Sequence, residues 1–213
     1  MTPQMIFEEV NRAFDDAIYV TDVGQHQMWA TQYLQLDERR ELITSGGLGT
    51  MGFGLPAAIG AKIGNPGREV VCFCGDGGLQ MNIQELATAV VWGAPVIICL
   101  FQNHSLGMVR QMQQLFYGER YAATCLGRRK SCPHTCEGPS SGCPPYTPDF
   151  AALAKSYGAH GIRVERREEI AEALTQARAC EDAPTIIEFI ISADELVLPM
   201  VKSGNPMSEM ILG

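Results

Sequence analysis

The chain has 213 residues and a formal net charge of −8, from 24 acidic and 16 basic side chains, which is enough for one α/β domain with a sizeable core. The acidic balance argues against a nucleic-acid partner and a polybasic membrane patch, and no apolar run approaches the roughly 20 residues of a membrane span. No basic stretch followed by an apolar one opens the chain, so it reads as a cytoplasmic domain whose eight cysteines do not make a small secreted disulfide scaffold.

Thr2-Pro3, followed by Met5, Ile6, Phe7, Val10 and Phe14, predicts a helix with Thr2 as cap and Pro3 in its first turn. Ile18 to Thr21 is the first strand; Asp22 to Met28 is the loop at its carboxyl end, leading into a short helix that runs to Tyr33. Leu42 to Thr44 is a second short strand. Ser45 to Gly49 is too glycine-rich for regular structure, and a small-residue helix follows from Met51 to Ile63. Glu69 to Cys74 is an apolar strand, Met81 to Val90 a helix, Pro95 to Phe101 another strand, and Gly107 to Tyr117 a helix. Pro148 to Tyr157 is helical with Thr147 as candidate cap. Ile162 to Val164 is a strand, Glu168 to Ala179 an amphipathic helix, and Thr185 to Ile191 the last strand. Strands alternating with helices predict an α/β fold: an open, mostly parallel six-stranded sheet with helices on both faces, with residues 1–213 forming one domain. Residues 118–147, rich in Cys, Pro, Gly and Ser and without periodicity, read as an insertion loop outside the core.

The chemistry concentrates between Glu69 and Met108, a strand–turn–helix–strand unit. Parallel strands end at the same sheet edge, so Asp76, after the first, and Asn103, after the second, should lie close together. A carboxylate and an amide oxygen suit Mg²⁺, which takes few protein ligands alongside phosphate and water. Gly75, Gly77 and Gly78 let backbone N–H groups approach an anion at the start of the next helix. The expectation is a metal-bound phosphate ester, although Gly-Asp-Gly alone is also an ordinary turn.

Gly-Asp-Gly followed by Asn after a second apolar strand resembles the signature of thiamine diphosphate (TPP) enzymes. Thr21-Asp22-Val23-Gly24-Gln25-His26-Gln27-Met28-Trp29, the run from Thr44 to Ala58 and Leu106-Gly107-Met108-Val109-Arg110-Gln111 resemble the large, catalytic subunit of acetolactate synthase (acetohydroxyacid synthase). The resemblance runs from Pro3 to Leu198-Pro199-Met200 and covers only that family's C-terminal, diphosphate-binding domain.

The resemblance implies Mg²⁺ held by Asp76, Asn103 and the backbone carbonyl of Ser105. It implies a diphosphate contacted from the loop of Gly24, Gln25 and His26, and a cofactor bent over Met51. The Gly49 carbonyl would accept from the pyrimidine amino group, and Leu106, Gly107 and Met108 would close the cofactor site. Val109 and Met112 would line the substrate pocket; many relatives carry Trp at the latter position, and Asn at that of Gln102. The implied reaction condenses pyruvate-derived hydroxyethyl-TPP with a second 2-oxo acid, giving acetolactate or acetohydroxybutyrate for branched-chain amino acids. It also implies a homo-oligomer, a regulatory subunit, and FAD on a domain beyond this one. The glutamate that activates the pyrimidine is expected on another missing domain, so no catalytic residue is assigned here and the isolated domain is expected to be inactive. The alternatives are another TPP enzyme (pyruvate oxidase, 2-oxo acid or sulfopyruvate decarboxylase) or a non-catalytic cofactor-binding module.

Cys125, Cys132, Cys136 and Cys143 fall within the insertion. Four thiolates at short spacing suit a structural Zn²⁺; an iron–sulfur cluster, disulfides and free thiols are the alternatives. The insertion is expected to be separate from the cofactor chemistry. Cys72, Cys74 and Cys99 lie in apolar strands and read as core.

Overall fold

The computed structural model describes residues 1–133, 143 and 148–212. Within them, β1 (Ala17–Thr21), β2 (Glu41–Thr44), β3 (Glu69–Gly75), β4 (Ile97–Gln102), β5 (His160–Val164) and β6 (Thr185–Ile190) form one sheet in the order β2-β1-β3-β4-β6-β5. Every adjacent pair is parallel. Parallel pairing requires crossovers, and helices, all but the first lying within those crossovers, cover both faces. These are α1 (Pro3–Ala13), α2 (Gln25–Tyr33), α3 (Gly54–Gly64), α4 (Asp76–Leu79), α5 (Glu85–Val91), α6 (Gly107–Phe116), α7 (Phe150–Ser156) and α8 (Ile170–Arg178).

Because both faces are covered, β3 and β4 are apolar without alternation. On one face Phe7, Phe14, Tyr19, Phe73, Phe101 and Phe189 pack with α1, α2 and α8. On the other, Val70, Cys72, Ile98, Leu100 and Ile186 pack with residues of α3, α5 and α7. Cys72, Cys74 and Cys99 are buried, and burial pushes the Cys74 and Cys99 thiols up, away from the reactive thiolate. No helix among the described residues is long and apolar enough to cross a membrane.

Several boundaries differ from the sequence reading. The helix expected over Met81–Val90 starts late, as α5 from Glu85, and a separate single turn, α4, precedes it at the end of β3. Between them Asn82 Nδ2 donates to the Gly52 carbonyl at 2.9 Å, a tertiary contact that holds the segment away from helical continuation. The helix expected from Met51 begins at Gly54, because the Gly52 and Gly54 N–H groups are engaged by the Asp22 carboxylate. Helix α2 begins at Gln25, inside the expected loop, directly after Gly24 at φ +149°. Asp149, not Thr147, is seen to cap α7, its carboxylate accepting from Ala152 N at 2.9 Å; Thr147 lies outside the described residues, as does Cys136.

The strand order fixes the functional edge. The chain leaves β1 for β2 on one side and returns to β3 on the other, so the connections diverge beyond the carboxyl ends of β1 and β3. Such a divergence leaves a crevice between loops, the usual ligand position in open α/β sheets.

Candidate cofactor site

A cleft of about 310 Å³ occupies that crevice, formed by residues 23–29, 49, 51, 75–78, 101, 103, 105–109 and 191. Every residue that the sequence reading put at the cofactor lies on its wall, and so does Val109. Met112 does not.

The first wall is the β1–α2 loop. Asp22 is buried, and its carboxylate accepts from the backbone N–H groups of Val23 at 2.8 Å, Gly52 at 2.9 Å and Gly54 at 2.8 Å. It thereby ties the loop after β1 to the segment carrying Gly49 and Met51. Sequence reasoning missed Asp22; the signal was an acid directly at a strand end with glycines downstream, which is legible only once the loops are known to meet. His26 is buried with its ring parallel to Phe101, at 15° and a centroid distance of 6.5 Å. Burial lowers its pKa to about 4, against the pull of Asp22, so the ring is neutral at pH 7. Its Nε2 meets no partner among the described residues. Gln25 is equally buried, but its amide protons go to Gln111 Oε1 and the Glu195 carbonyl, both at 2.8 Å. Its Oε1 lies 3.4 Å from Asn103 Nδ2, so Gln25 stands beside Asn103 on the wall of the cleft.

The floor is the Gly75–Gly78 turn. Gly75 pairs with Phe101 across β3 and β4, which brings Asp76 beside the loop that carries Asn103. Asp76 Oδ2 accepts from His104 N at 2.7 Å, and Oδ1 from Gly77 N at 2.9 Å. Burial raises its pKa to about 7, with these N–H groups pulling the other way. Asn103 Oδ1 accepts from Ser105 N at 3.0 Å. The floor is tight: a Cβ at Gly77 would meet Leu106 Cδ2 at 2.7 Å, and one at Gly78 would run into the clamped Asp22 Oδ1. Met51 Cε would lie 3.6 Å from such a Gly77 Cβ, and Leu126 Cδ1 3.7 Å from it.

A carboxylate and an amide at adjacent strand ends, above a glycine floor, is an arrangement for a cation-bound phosphate. The family model for the C-terminal TPP-binding domain of thiamine pyrophosphate enzymes matches residues 22–189. The chain belongs to this family of TPP-binding domains. Similar proteins include the acetolactate synthase of Mycobacterium bovis, 45% identical over 211 residues, covering 99% of this chain and 32% of that protein. The large subunit of acetolactate synthase from Lactococcus lactis is 45% identical over 196 residues, with 92% and 31% covered. That from Haemophilus influenzae is 42% identical over 211 residues, with 99% and 34% covered. The chain spans about a third of the length of these relatives.

The TPP-binding domain's residues fit the diphosphate and its metal. Asp76 is a buried carboxylate with no ion pair among the described residues, a setting in which a divalent cation restores the charged form. His26 Nε2 and Ser105 Oγ are buried polar atoms that meet no partner among the described residues, and a neutral imidazole N–H is a good phosphate donor.

The insertion is not separate from this wall. Leu106 N donates to the Thr124 carbonyl at 2.8 Å, and Leu126 N to the His104 carbonyl at 2.9 Å. Residues 124–126 thus form a short antiparallel bridge, Ser105 with Cys125, along the back of the loop that follows Asn103. Sequence periodicity could not show this, since a two-residue bridge carries no pattern. Among the described residues no three His, Cys, Asp or Glu side chains form a group that could hold a metal ion. Cys125, Cys132 and Cys143 are described, and Cys132 Sγ accepts from Arg129 N at 3.3 Å.

Proposed function

We propose that this chain is the diphosphate-binding part of an acetolactate synthase catalytic subunit, binding TPP with Mg²⁺. The observation that carries the proposal is the Asp76 carboxylate and Asn103 amide at neighbouring parallel strand ends over a glycine floor crowded by Leu106 and Asp22. Asp76, Asn103 and the Ser105 carbonyl would hold the Mg²⁺. Gly77, Gly78 and the neutral His26 would meet the phosphate oxygens. Met51 would pack beneath the bent cofactor, and the Gly49 carbonyl, in a turn at φ +63°, would accept from its pyrimidine amino group. Met108 and Val109 would face the substrates, with Met112 behind them on α6. Bound TPP supplies the ylid and electron sink for decarboxylating pyruvate and adding the two-carbon unit to a second 2-oxo acid. This chain's share is to grip, orient and exclude water. The relatives are about three times as long as this chain, and by its resemblance to acetolactate synthase the whole protein would be a cytoplasmic homo-oligomer in branched-chain amino-acid synthesis, served by a regulatory subunit, whose other domains carry FAD and the activating glutamate. Residues 118–147 would be an insertion within the one domain, and a structural Zn²⁺ or iron–sulfur site on Cys125, Cys132, Cys136 and Cys143 rests on their spacing alone.

Calorimetric titration of TPP tests the reading. Binding should require Mg²⁺ and be lost in Asp76→Ala; binding indifferent to both changes refutes the metal assignment. The chain alone should form no acetolactate from pyruvate, and turnover on the order of 1 s⁻¹ would show that the site is complete without further domains.

A further inference from the structure

Behind the proposed cation ligands lies a run of buried amides that the chemistry above does not use. Gln111, on α6, and Gln25 are 1% and 4% exposed. Gln111 Nε2 donates to the Val197 carbonyl at 2.9 Å, and its Oε1 accepts from Val197 N at 2.8 Å. A backbone N–H and C=O cannot exchange roles, so this pairing fixes which way the Gln111 amide faces. The same Oε1 accepts from Gln25 Nε2 at 2.8 Å, and Gln25 Nε2 also donates to the Glu195 carbonyl at 2.8 Å. With both protons so directed, Gln25 presents Oε1 to Asn103 Nδ2, 3.4 Å away. Asn103 Oδ1 is then held toward Ser105, whose N–H it accepts at 3.0 Å. The junction is closed by Gly107, where a Cβ would strike Gln25 Oε1 and sit 2.8 Å from Asn103 Nδ2.

We propose that Gln111 is a positioning residue for the cation site: it transmits the fixed polarity of the Val197 backbone through Gln25 to Asn103, so that Asn103 presents oxygen, not its NH₂, to the metal. An asparagine is a cation ligand in only one of its two flips, and the chain of amides selects that flip. The proposal rests on the reading of the cleft as an Mg²⁺–diphosphate site and adds what sets its ligand. It makes the segment after β6 part of the site at a distance. That segment is docked by an Arg110–Asp194 ion pair at 2.9 Å and by Trp29 Nε1 donating to the Leu196 carbonyl at 3.3 Å. Segment 194–197 must be seated for Asn103 to be correctly turned.

The test is the Mg²⁺ concentration giving half-maximal TPP binding to the 213-residue chain, measured by calorimetry for the wild type, Gln111→Met and Gln111→Glu. Met fills the same space but accepts nothing from Gln25; Glu keeps the accepting oxygen. The Met variant should need about tenfold more Mg²⁺, and the Glu variant should stay within about twofold of wild type. A purely packing role ranks them the other way, because a buried acid is harder to accommodate than a thioether. That ranking, equal effects in the two variants, or no effect in either overturns the proposal. Should Gln111→Met fail to fold, Gln25→Met removes both donors and also the oxygen presented to Asn103. A similar rise in its Mg²⁺ requirement is expected, and an unchanged requirement overturns the proposal. Wild-type protein that binds no TPP at any Mg²⁺ concentration refutes the reading of the cleft itself, and the proposal with it.

Discussion

Replacing Asp22 by Asn alters one atom of a buried side chain, and the structure gives it a large effect. The carboxylate accepts from three backbone donors, at 2.8 Å from Val23, 2.9 Å from Gly52 and 2.8 Å from Gly54. Hydrogen bonds to a charged acceptor contribute about 1.5–3 kcal/mol each, roughly twice a neutral one. In Asn, one of the two oxygens becomes an NH₂ group. Whichever way the amide turns, it opposes its own protons to Val23 N–H or to the Gly52 and Gly54 pair. At least one bond is lost and the others weaken, so the variant should be less stable by about 3 kcal/mol, a large part of a typical domain's total. Urea unfolding at pH 7, followed by circular dichroism, should show the midpoint fall with the slope unchanged. Limited proteolysis should reveal new cleavage in residues 45–53, the segment that Asp22 holds. An Asn variant within about 0.5 kcal/mol of wild type, or more stable, would show that desolvating the carboxylate outweighs its three donors, and the account of the clamp would be wrong. Gly78→Ala, whose Cβ would run into Asp22 Oδ1, attacks the same clamp. Its effect should add to that of Asp22→Asn less than fully.

His26 predicts a pH dependence. Its folded pKa, about 4, lies below the ordinary 6.5, so the unfolded chain takes up the proton first. Its contribution to stability is complete above pH 6.5 and declines as pH falls toward 4, by about 1.4 kcal/mol per pH unit. Asp76, raised from 3.8 to about 7, acts in the opposite sense: its contribution is full below pH 3.8 and is lost as pH rises through 7. The difference between wild type and His26→Gln isolates the histidine. Between pH 6.5 and 5 the wild type should lose about 2 kcal/mol more than the variant, and equal losses in urea unfolding would refute the buried neutral ring. For the insertion, protein purified anaerobically without chelator should carry about one Zn or iron centre per chain if the four cysteines form a site. Metal-free protein with titratable thiols would dispose of that reading.

The alternation of apolar strands with helices was legible along the chain because a parallel sheet covered on both faces demands near-continuous apolar strands, and Glu69–Gly75 and Ile97–Gln102 supply them. Asp76 and Asn103 were legible for the same reason, since each directly follows such a strand and parallel strands end at one edge. Helix boundaries were not. Gly54 starts its helix because Asp22 holds its N–H and that of Gly52, 32 and 30 positions away, and Asn82 bonds to the Gly52 carbonyl, 30 positions away, where a helix was expected. The role of Gln25 followed the same logic. Its motif pointed to the cleft but not to the partners of its amide, because Gln111 and Glu195 lie far along the chain where periodicity carries no information about them. The sequence by itself determined which residues reach the edge of the sheet; the tertiary structure decided which of their polar atoms remain free there, because hydrogen bonds are directional and are apportioned only when distant segments meet.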